Sequence, residues 1–251
     1  MKKYFTGSTL KLLAVVSMLI DHAGQIVLKN GIILNAPYSA FTDKAFSMLL
    51  SLLDVCHIIG RLAFPIFCFL LVEGFLHTHN LKKYMLNLGI FAIVSEPVYD
   101  LAFRGQFISS EAQNVLFTLL LGLVILAAIK KLNNNIPAAC ILTAAGAFLA
   151  YKCMLDGSYY GVLLMVAFYL LRDKPFIKYI TAALIMYGCG LDFTIKGMLN
   201  PYFLTALCAL IPISLYNGKR GIRMKYFFYI FYPAHLLILF IITSQIIIPL
   251  L

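Results

Sequence analysis

Charged residues are scarce in this chain. Only 12% of its 251 residues are Asp, Glu, Lys or Arg, whereas 62% are hydrophobic, and the mean hydropathy is +0.92. A soluble domain has about a quarter charged residues, and a soluble fold of this size cannot keep so much apolar surface from water. The apolar stretches run for roughly twenty residues, the length at which a helix crosses a bilayer. The sequence therefore predicts an all-α membrane protein, and the lack of apolar–polar alternation argues against a transmembrane barrel.

Other features are also missing. None of the six cysteines forms a C-x-x-C pair, which argues against a zinc site or a disulfide framework, so we interpret them as small apolar residues. The first apolar segment is followed by DHAGQ (21–25), which lacks a small-x-small cleavage signal, so we predict a membrane helix there and not a signal peptide. No internal repeat and no long polar block is visible. We expect one membrane domain over residues 1–251.

The apolar segments predict a polytopic bundle of about nine transmembrane helices. Residues 29–57 contain Pro37, Asp43 and Asp54, and we interpret the run AFSMLLSLLDV within them as a short interfacial helix and not as a span. The predicted spans are 9–28, 58–76, 84–103, 112–129, 136–151, 159–171, 176–191, 201–216 and 226–248.

The distribution of basic residues predicts a cytoplasmic N-terminus. The net charge is +10, which in a membrane protein reports basic cytoplasmic loops and not an affinity for nucleic acid. With the N-terminus inside, fourteen of the twenty Lys and Arg residues lie at the inner surface. These are Lys2, Lys3, Lys11, Lys82, Lys83, Lys130, Lys131, Arg172, Lys174, Lys178, Lys219, Arg220, Arg223 and Lys225. Outside remain Lys29, Lys44, Arg104, Lys152 and Lys196, with Arg61 just inside the second span.

Cysteine labelling tests this orientation. A cysteine introduced within 217–225 should react only with a reagent on the cytoplasmic side, and one within 104–111 only with a reagent outside. Equal accessibility of the two positions would contradict the nine-span arrangement.

Asp21 and His22 lie deep within the first predicted helix. Ionisable groups inside a membrane are costly, so they indicate a functional site, although hydrogen bonding for packing specificity is the alternative. His22 follows Lys11 by eleven residues, about three turns, so both share one face roughly 16 Å apart. Histidine is a general base near neutral pH, and Asp21 or another carboxylate would orient it.

Arg61 stands at the start of the second predicted helix, four residues before Pro65. Its guanidinium stays charged and requires a carboxylate or phosphate partner. Glu96 and Asp100 lie four residues apart on one face of the third helix, at a similar depth. We therefore predict that Arg61 pairs with Glu96 or Asp100.

Further polar residues extend this pattern at both ends of the bundle. Asn114 and Thr118 begin one predicted helix, Tyr159 and Tyr160 begin another, and His235 lies near mid-membrane. The alternative for the tyrosines is that they are interfacial aromatics, and the alternative for His235 is a structural role. The cytoplasmic side has Glu73, His77, Asn80, Lys82 and Lys83. We infer a polar outer chamber and a basic inner mouth that suits a phosphate-bearing ligand. His77 and His79 do not face each other, so no metal site is predicted; both are also compatible with an ordinary loop.

Several segments resemble the TraX family of membrane proteins, in family order and over nearly the whole chain. They are LKLLAVVSMLIDHAG (10–24), IIGRLAFPIFCFLLVEGFLHTHNLKKY (58–84), SEPVYDLAF (95–103), QNVLFTL (113–119), DGSYYGVLL (156–164) and FYPAHLLIL (231–239). The family is also distantly similar to the acyltransferase-3 and heparan acetyltransferase groups. Acyltransferase-3 proteins carry an arginine, ten residues and then a histidine in helix one. Here the same spacing runs from Lys11 to His22, and lysine in place of arginine keeps the charge but loses the bidentate fork.

The resemblance implies an acyltransferase, since the member that gives the family its name acetylates the N-terminus of conjugative pilin. Acetyl-CoA would bind from the cytoplasm through Lys11, Glu73, His77, Asn80, Lys82 and Lys83. His22 would act as base or nucleophile in a site shaped by Asp21, Arg61, Glu96, Asp100 and Asn114. Thr118, Tyr159, Tyr160 and His235 would bind an extracytoplasmic acceptor, such as a pilin, another peptide or a hydroxyl compound.

Two other functions remain open at this point. Buried carboxylates and histidines also make the proton relays of coupled transporters. A pilus-assembly scaffold would explain the spans but not the buried ions. The implied location is the plasma membrane of a prokaryote, with membrane lipid and acetyl-CoA as partners and no nucleic acid.

Overall fold

The computed structural model describes residues 3–190, 194–222 and 224–251, and within them it is helical with no β-strand. The all-α prediction is therefore confirmed. Lys2 and Arg223, which entered the orientation prediction, lie outside the described residues. The helices are α1 Gly7–Ala23, α2 Asp43–Gly60, α3 Ala63–His77, α4 Leu81–Arg104, α5 Val115–Lys131, α6 Ile136–Lys152, α7 Ser158–Leu170, α8 Pro175–Cys189, α9 Ile195–Met198, α10 Pro201–Cys208, α11 Leu210–Ser214 and α12 Lys225–Ile242.

Among the described residues, four helical stretches are long and apolar enough to cross a membrane: Gly7–Ile33, Asp43–His77, Leu81–Arg104 and Tyr226–Leu250. The first and the last continue α1 and α12 as π-helical turns, Gly24–Ile33 and Thr243–Ile247. Shorter apolar helices occupy Ile136–Lys152, Ser158–Leu170, Pro175–Cys189 and Pro201–Ser214. The number of spans and the cytoplasmic N-terminus stay predictions.

Helix α2 corrects the interpretation of residues 29–57. The run AFSMLLSLLDV is helical, as predicted, but the helix is longer: it extends over 18 residues, from Asp43 to Gly60, and leads directly towards α3. Thr42 begins it because its hydroxyl accepts the amide of Ala45, as an N-cap does. The scattered polar residues within this segment concealed an apolar helix that packs on α1.

The helical structure is interrupted between α2 and α3, where Arg61 and Leu62 form a turn. Pro65 explains the interruption, since its ring clashes with the carbonyl of the residue four positions earlier, Arg61, and its nitrogen has no hydrogen to donate. The amides of Arg61 and Leu62 bond Ile58 and Ile59 instead, three residues back. Pro65 thus lies in the first turn of a new helix, where it is tolerated, and Arg61 is left at an exposed corner.

Helix α3 and helix α7 hold the core of the bundle. α3 buries Ile66, Cys68 and Val72, and α7 buries Leu164 and Phe168. α7 packs against α3, α5, α6 and α8, while α1 packs against α2, α3 and α12, and α4 packs against α5 and α12. The two helices that carry Asp21–His22 and His235 are therefore neighbours, although more than two hundred residues separate them in sequence.

Candidate functional site

Two consecutive residues of α1 make separate polar contacts. His22 bonds His235 of α12, whereas Asp21 bonds His57 of α2. Adjacent positions of a helix point about 100° apart, so one residue faces each neighbouring helix. The expectation that Asp21 orients His22 is therefore wrong: each residue has a histidine partner from another helix.

The His22–His235 pair has a defined arrangement of protons. Nδ1 of His22 lies 2.8 Å from Nε2 of His235, and Nδ1 of His235 lies 2.7 Å from the carbonyl oxygen of Phe231. A carbonyl oxygen only accepts, so Nδ1 of His235 carries the proton and Nε2 of its neutral ring accepts from His22. His22 therefore carries its own proton on Nδ1, and its Nε2 has a free lone pair.

Aromatic side chains enclose this pair. The ring centroid of His22 lies 5.3 Å from that of Phe103 and 6.4 Å from that of Tyr232, in both cases edge to face. His22 is 8% exposed and His235 is 4% exposed. The pair is thus largely shielded from water.

The Asp21–His57 pair lies beside Arg61. Oδ1 of Asp21 is 2.8 Å from Nδ1 of His57 and 3.9 Å from a terminal nitrogen of Arg61. Nε of Arg61 donates to the carbonyl of His57 at 3.2 Å. The predicted pairing of Arg61 with Glu96 or Asp100 is wrong, because the helix break turns Arg61 towards α1.

Glu96 and Asn114 join α4 to α5. Asn114 begins α5, where its side-chain oxygen accepts the amide of Leu116. Its backbone amide donates to Oε2 of Glu96 at 2.9 Å, and its side-chain amide donates to the same oxygen and to the carbonyl of Ala92. Asn114 thus caps α5 and joins it to α4 through Glu96, and among the described residues neither side chain hydrogen-bonds His22.

Asp100 is held by groups that the sequence analysis placed in an outer loop. Its Oδ1 lies 3.3 Å from Nη1 of Arg104, and its Oδ2 accepts the amide of Ser109 at 2.7 Å. Arg104 also contacts Glu111 at 3.1 Å. The cation that the buried carboxylate requires is thus Arg104, one helical turn away, and not Arg61.

Asp156 joins the loop between α6 and α7 to the start of α5. Its amide donates to the carbonyl of Gln113 at 2.8 Å, and Thr118 donates to its carbonyl. Asp156 lies in the loop between α6 and α7. Desolvation by the surrounding protein, followed by repulsion from Asp21, raises the pKa of its carboxyl group to about 6.

An aromatic-walled cavity of about 430 Å³ lies next to Arg61. Tyr159 and Tyr160 line it from the first turn of α7, and Tyr202 lines it from α10. The guanidinium of Arg61 lies 5.7 Å from the centre of the Tyr202 ring, whose hydroxyl donates to Asp54 at 3.2 Å. Arg61, Tyr159 and Tyr160, all predicted site residues, therefore share one cavity.

The residues expected to hold acetyl-CoA lie at the ends of α1, α3 and α4. Nζ of Lys11 stands over the Phe228 ring at 5.1 Å. Asn80 caps α4 by accepting the amide of Lys83. His77 is exposed and bonds the carbonyl of Glu73, and the side chains of Lys82 and Lys83 are also exposed. No contact among the described residues joins Lys11 to the α4 lysines.

Several polar residues of the site were not predicted. They are His57, Asp54, Arg104, Tyr202 and Asp156. His57 was overlooked because residues 29–57 were interpreted as an interfacial segment, although its four-residue spacing from Arg61 places both on one helix face. Arg104 was counted only as a loop charge. Within the described ranges, no three His, Cys, Asp or Glu side chains are grouped so as to hold a metal ion.

Apolar helices of spanning length that enclose a few buried polar contacts are those of a helical membrane protein. The chain belongs to the TraX family, since the family model described as "TraX protein" matches residues 6–243. A relative is the "Probable fimbrial assembly protein FimC, serogroup H1" of Dichelobacter nodosus, which is 31% identical over 251 residues covering 94% of each chain. No solved structure matches.

The Asp100–Arg104 pair predicts a stability effect. Replacing Arg104 with Met leaves a carboxylate that is 2% exposed without its cation. We expect a loss of about 3–5 kcal/mol, typical of a broken buried pair, seen as a lower melting temperature in detergent.

Arg172→Met is the matched control, since Arg172 pairs with Asp173, which is 85% exposed. That substitution should cost about 1 kcal/mol or less. Equal melting temperatures for the two variants would contradict the assignment of Arg104 as the cation of Asp100.

Proposed function

We propose that this protein is an acetyltransferase of a prokaryotic plasma membrane. It takes the acetyl group of cytoplasmic acetyl-CoA and transfers it to an amine or hydroxyl of an extracytoplasmic acceptor. The single observation that carries the proposal is the 2.8 Å contact between Nδ1 of His22 and Nε2 of His235, which leaves Nε2 of His22 as the nitrogen with a lone pair. Membership of the TraX family supports the same reaction class.

The histidine pair has the properties that acyl transfer requires. A lone pair on Nε2 serves either as the base that deprotonates the acceptor or as the nucleophile that takes the acetyl group. His235 holds the tautomer in both cases, as the buried carboxylate does in a serine hydrolase. The enclosure by Phe103 and Tyr232 excludes water and so protects the thioester or an acylated imidazole from hydrolysis.

The donor would bind at the cytoplasmic end of α1. Lys11 lies about 16 Å from His22 along the same helix face, and Arg220 is near enough to interact with it electrostatically. The phosphates of acetyl-CoA would approach these cations while the thioester extends towards His22. His77, Lys82 and Lys83 are exposed near the ends of α3 and α4 and would add to this attraction.

The acceptor would enter the cavity beside Arg61. Tyr159, Tyr160 and Tyr202 line this cavity with aromatic rings and hydroxyl groups, and Arg61 adds a positive charge. The name of the Dichelobacter relative links that protein to fimbrial assembly, which makes a fimbrial subunit or another peptide the acceptor that we propose here.

A proton-coupled transporter is the second candidate. The observation that favours it is the series of buried or half-buried ionisable groups from His235 through His22 to Asp21 and His57. A transporter would not bind acetyl-CoA, so binding of that nucleotide separates the two functions.

Replacement of His22 by Ala is the principal test. Acetyl transfer should fall by about two to four orders of magnitude, the usual scale of acid–base assistance. Acetyl-CoA should still bind, because Lys11 is distant from the substitution. The measurements are release of the CoA thiol by purified protein in detergent and equilibrium binding of acetyl-CoA.

Lys11→Ala should give the reverse pattern, with weaker acetyl-CoA binding and little change in the rate at saturation. His79→Gln, an exposed histidine outside the site, serves as the control and should change neither. Normal transfer by a folded His22→Ala protein would leave His22 as a structural partner of His235.

A further inference from the structure

We propose that His57, oriented by Asp21, is a second catalytic base, which removes the proton of the acceptor. This inference rests on the acetyltransferase function proposed above and assigns the two histidines to different steps. His22 is then the nucleophile that carries the acetyl group, and His57 activates the acceptor.

The bond to Asp21 fixes the tautomer of His57. An ionised carboxylate only accepts hydrogen bonds, so Nδ1 of His57, 2.8 Å from Oδ1 of Asp21, carries the proton. Nε2 of a neutral His57 then holds a lone pair. A carboxylate that orients an imidazole and stabilises its protonated form is the arrangement of a general base in acyl transfer.

Two glycines allow α1 and α2 to approach closely enough for this pair. A Cβ at Gly60 would overlap the carboxylate of Asp21, and one at Gly24 would lie 2.6 Å from Cβ of Cys56. The absence of side chains at these positions seats Asp21 directly against α2. The Asp21–His57 contact is therefore built into the packing of the two helices.

The location of His57 suits an acceptor that comes from the cavity. His57 lies one turn before Arg61, which lines the cavity and donates to the His57 carbonyl. The His57 side chain is 19% exposed, whereas the whole of His22 is 8% exposed. Asp21, the partner of His57, directly precedes His22 in α1, so the two histidines belong to adjoining polar pairs.

The reaction then proceeds in two steps. Nε2 of His22 bonds the acetyl carbon, the carbon–sulfur bond breaks with its electron pair on sulfur, and the Nδ1 proton of His22 moves to Nε2 of His235. The acceptor oxygen or nitrogen next bonds the acetyl carbon while its proton passes to Nε2 of His57, and the carbon–nitrogen bond to His22 breaks. His235 returns its proton to His22, and solvent takes the proton from His57 and supplies one to the CoA thiolate.

Two small acceptors separate these steps. Methanol must lose its hydroxyl proton to a base as it attacks, whereas hydroxylamine attacks as a neutral amine. CoA release by the purified full-length protein is measured with each, and the His22→Ala protein supplies the background rate.

For His57→Gln, transfer to methanol should fall by about two to four orders of magnitude, and transfer to hydroxylamine by less than about tenfold. Asp21→Asn should show the same selective loss, because the imidazole remains but loses its orientation. If His57→Gln does not fold, Asp21→Asn still tests the proposal. His79→Gln should transfer to both acceptors like the unaltered protein.

Equal losses with both acceptors would overturn the proposal, since His57 would then support the site only structurally. The proposal would also be overturned if the unaltered protein transferred acetyl to hydroxylamine but its rate of transfer to methanol did not exceed that of His57→Gln. Failure of the unaltered protein to transfer acetyl to hydroxylamine would instead reject the acetyltransferase function itself.

Discussion

Helix α1 carries two neighbouring polar residues, Asp21 and His22, that must both find partners inside an apolar bundle. Lipid offers no hydrogen bonds, so each unsatisfied group would cost several kcal/mol. The bundle satisfies them by placing α2 against one face of α1 and α12 against another, with a histidine from each. The arrangement of these three helices follows from that requirement, and it brings both pairs to the same depth.

Three prolines within or between the helices lie close to polar residues of the candidate site. Pro65 separates α2 from α3 and leaves Arg61 at the corner, next to both Asp21 and the aromatic cavity. Pro97 lies within α4 next to Glu96, which the Asn114 cap of α5 holds. Pro233 lies two residues before His235 in α12. In the interior of a helix, proline frees backbone carbonyls, and a protein tolerates this in a membrane only where neighbouring helices compensate.

In the proposed acetyltransferase, the two histidine pairs would serve different substrates. The buried His22–His235 pair is shielded from water, as an acylated intermediate would require, while the more accessible Asp21–His57 pair adjoins Arg61 and the cavity where the acceptor would enter. Lys11 lies three turns from His22, so the donor would approach from the opposite end of α1. Acetyl transfer across a membrane needs this kind of separation, since donor and acceptor never share a compartment.

The sequence by itself determined the all-α class and indicated the membrane setting, because apolar length is a local property of the chain. It also singled out His22, Arg61 and His235 as candidates, because ionisable residues within apolar segments can be recognised from the sequence. It also led to the TraX family. It did not determine the partners of the polar residues or the full length of one helix: Asp21 meets His57, Asp100 meets Arg104, and α2 extends from Asp43 to Gly60. Those pairings depend on which faces of distant helices pack together, through close approaches at Gly24 and Gly60 and a turn at Pro65. Only the tertiary structure decided them, because the energy of a buried ion pair depends on the distance between its atoms and not on their positions in the chain.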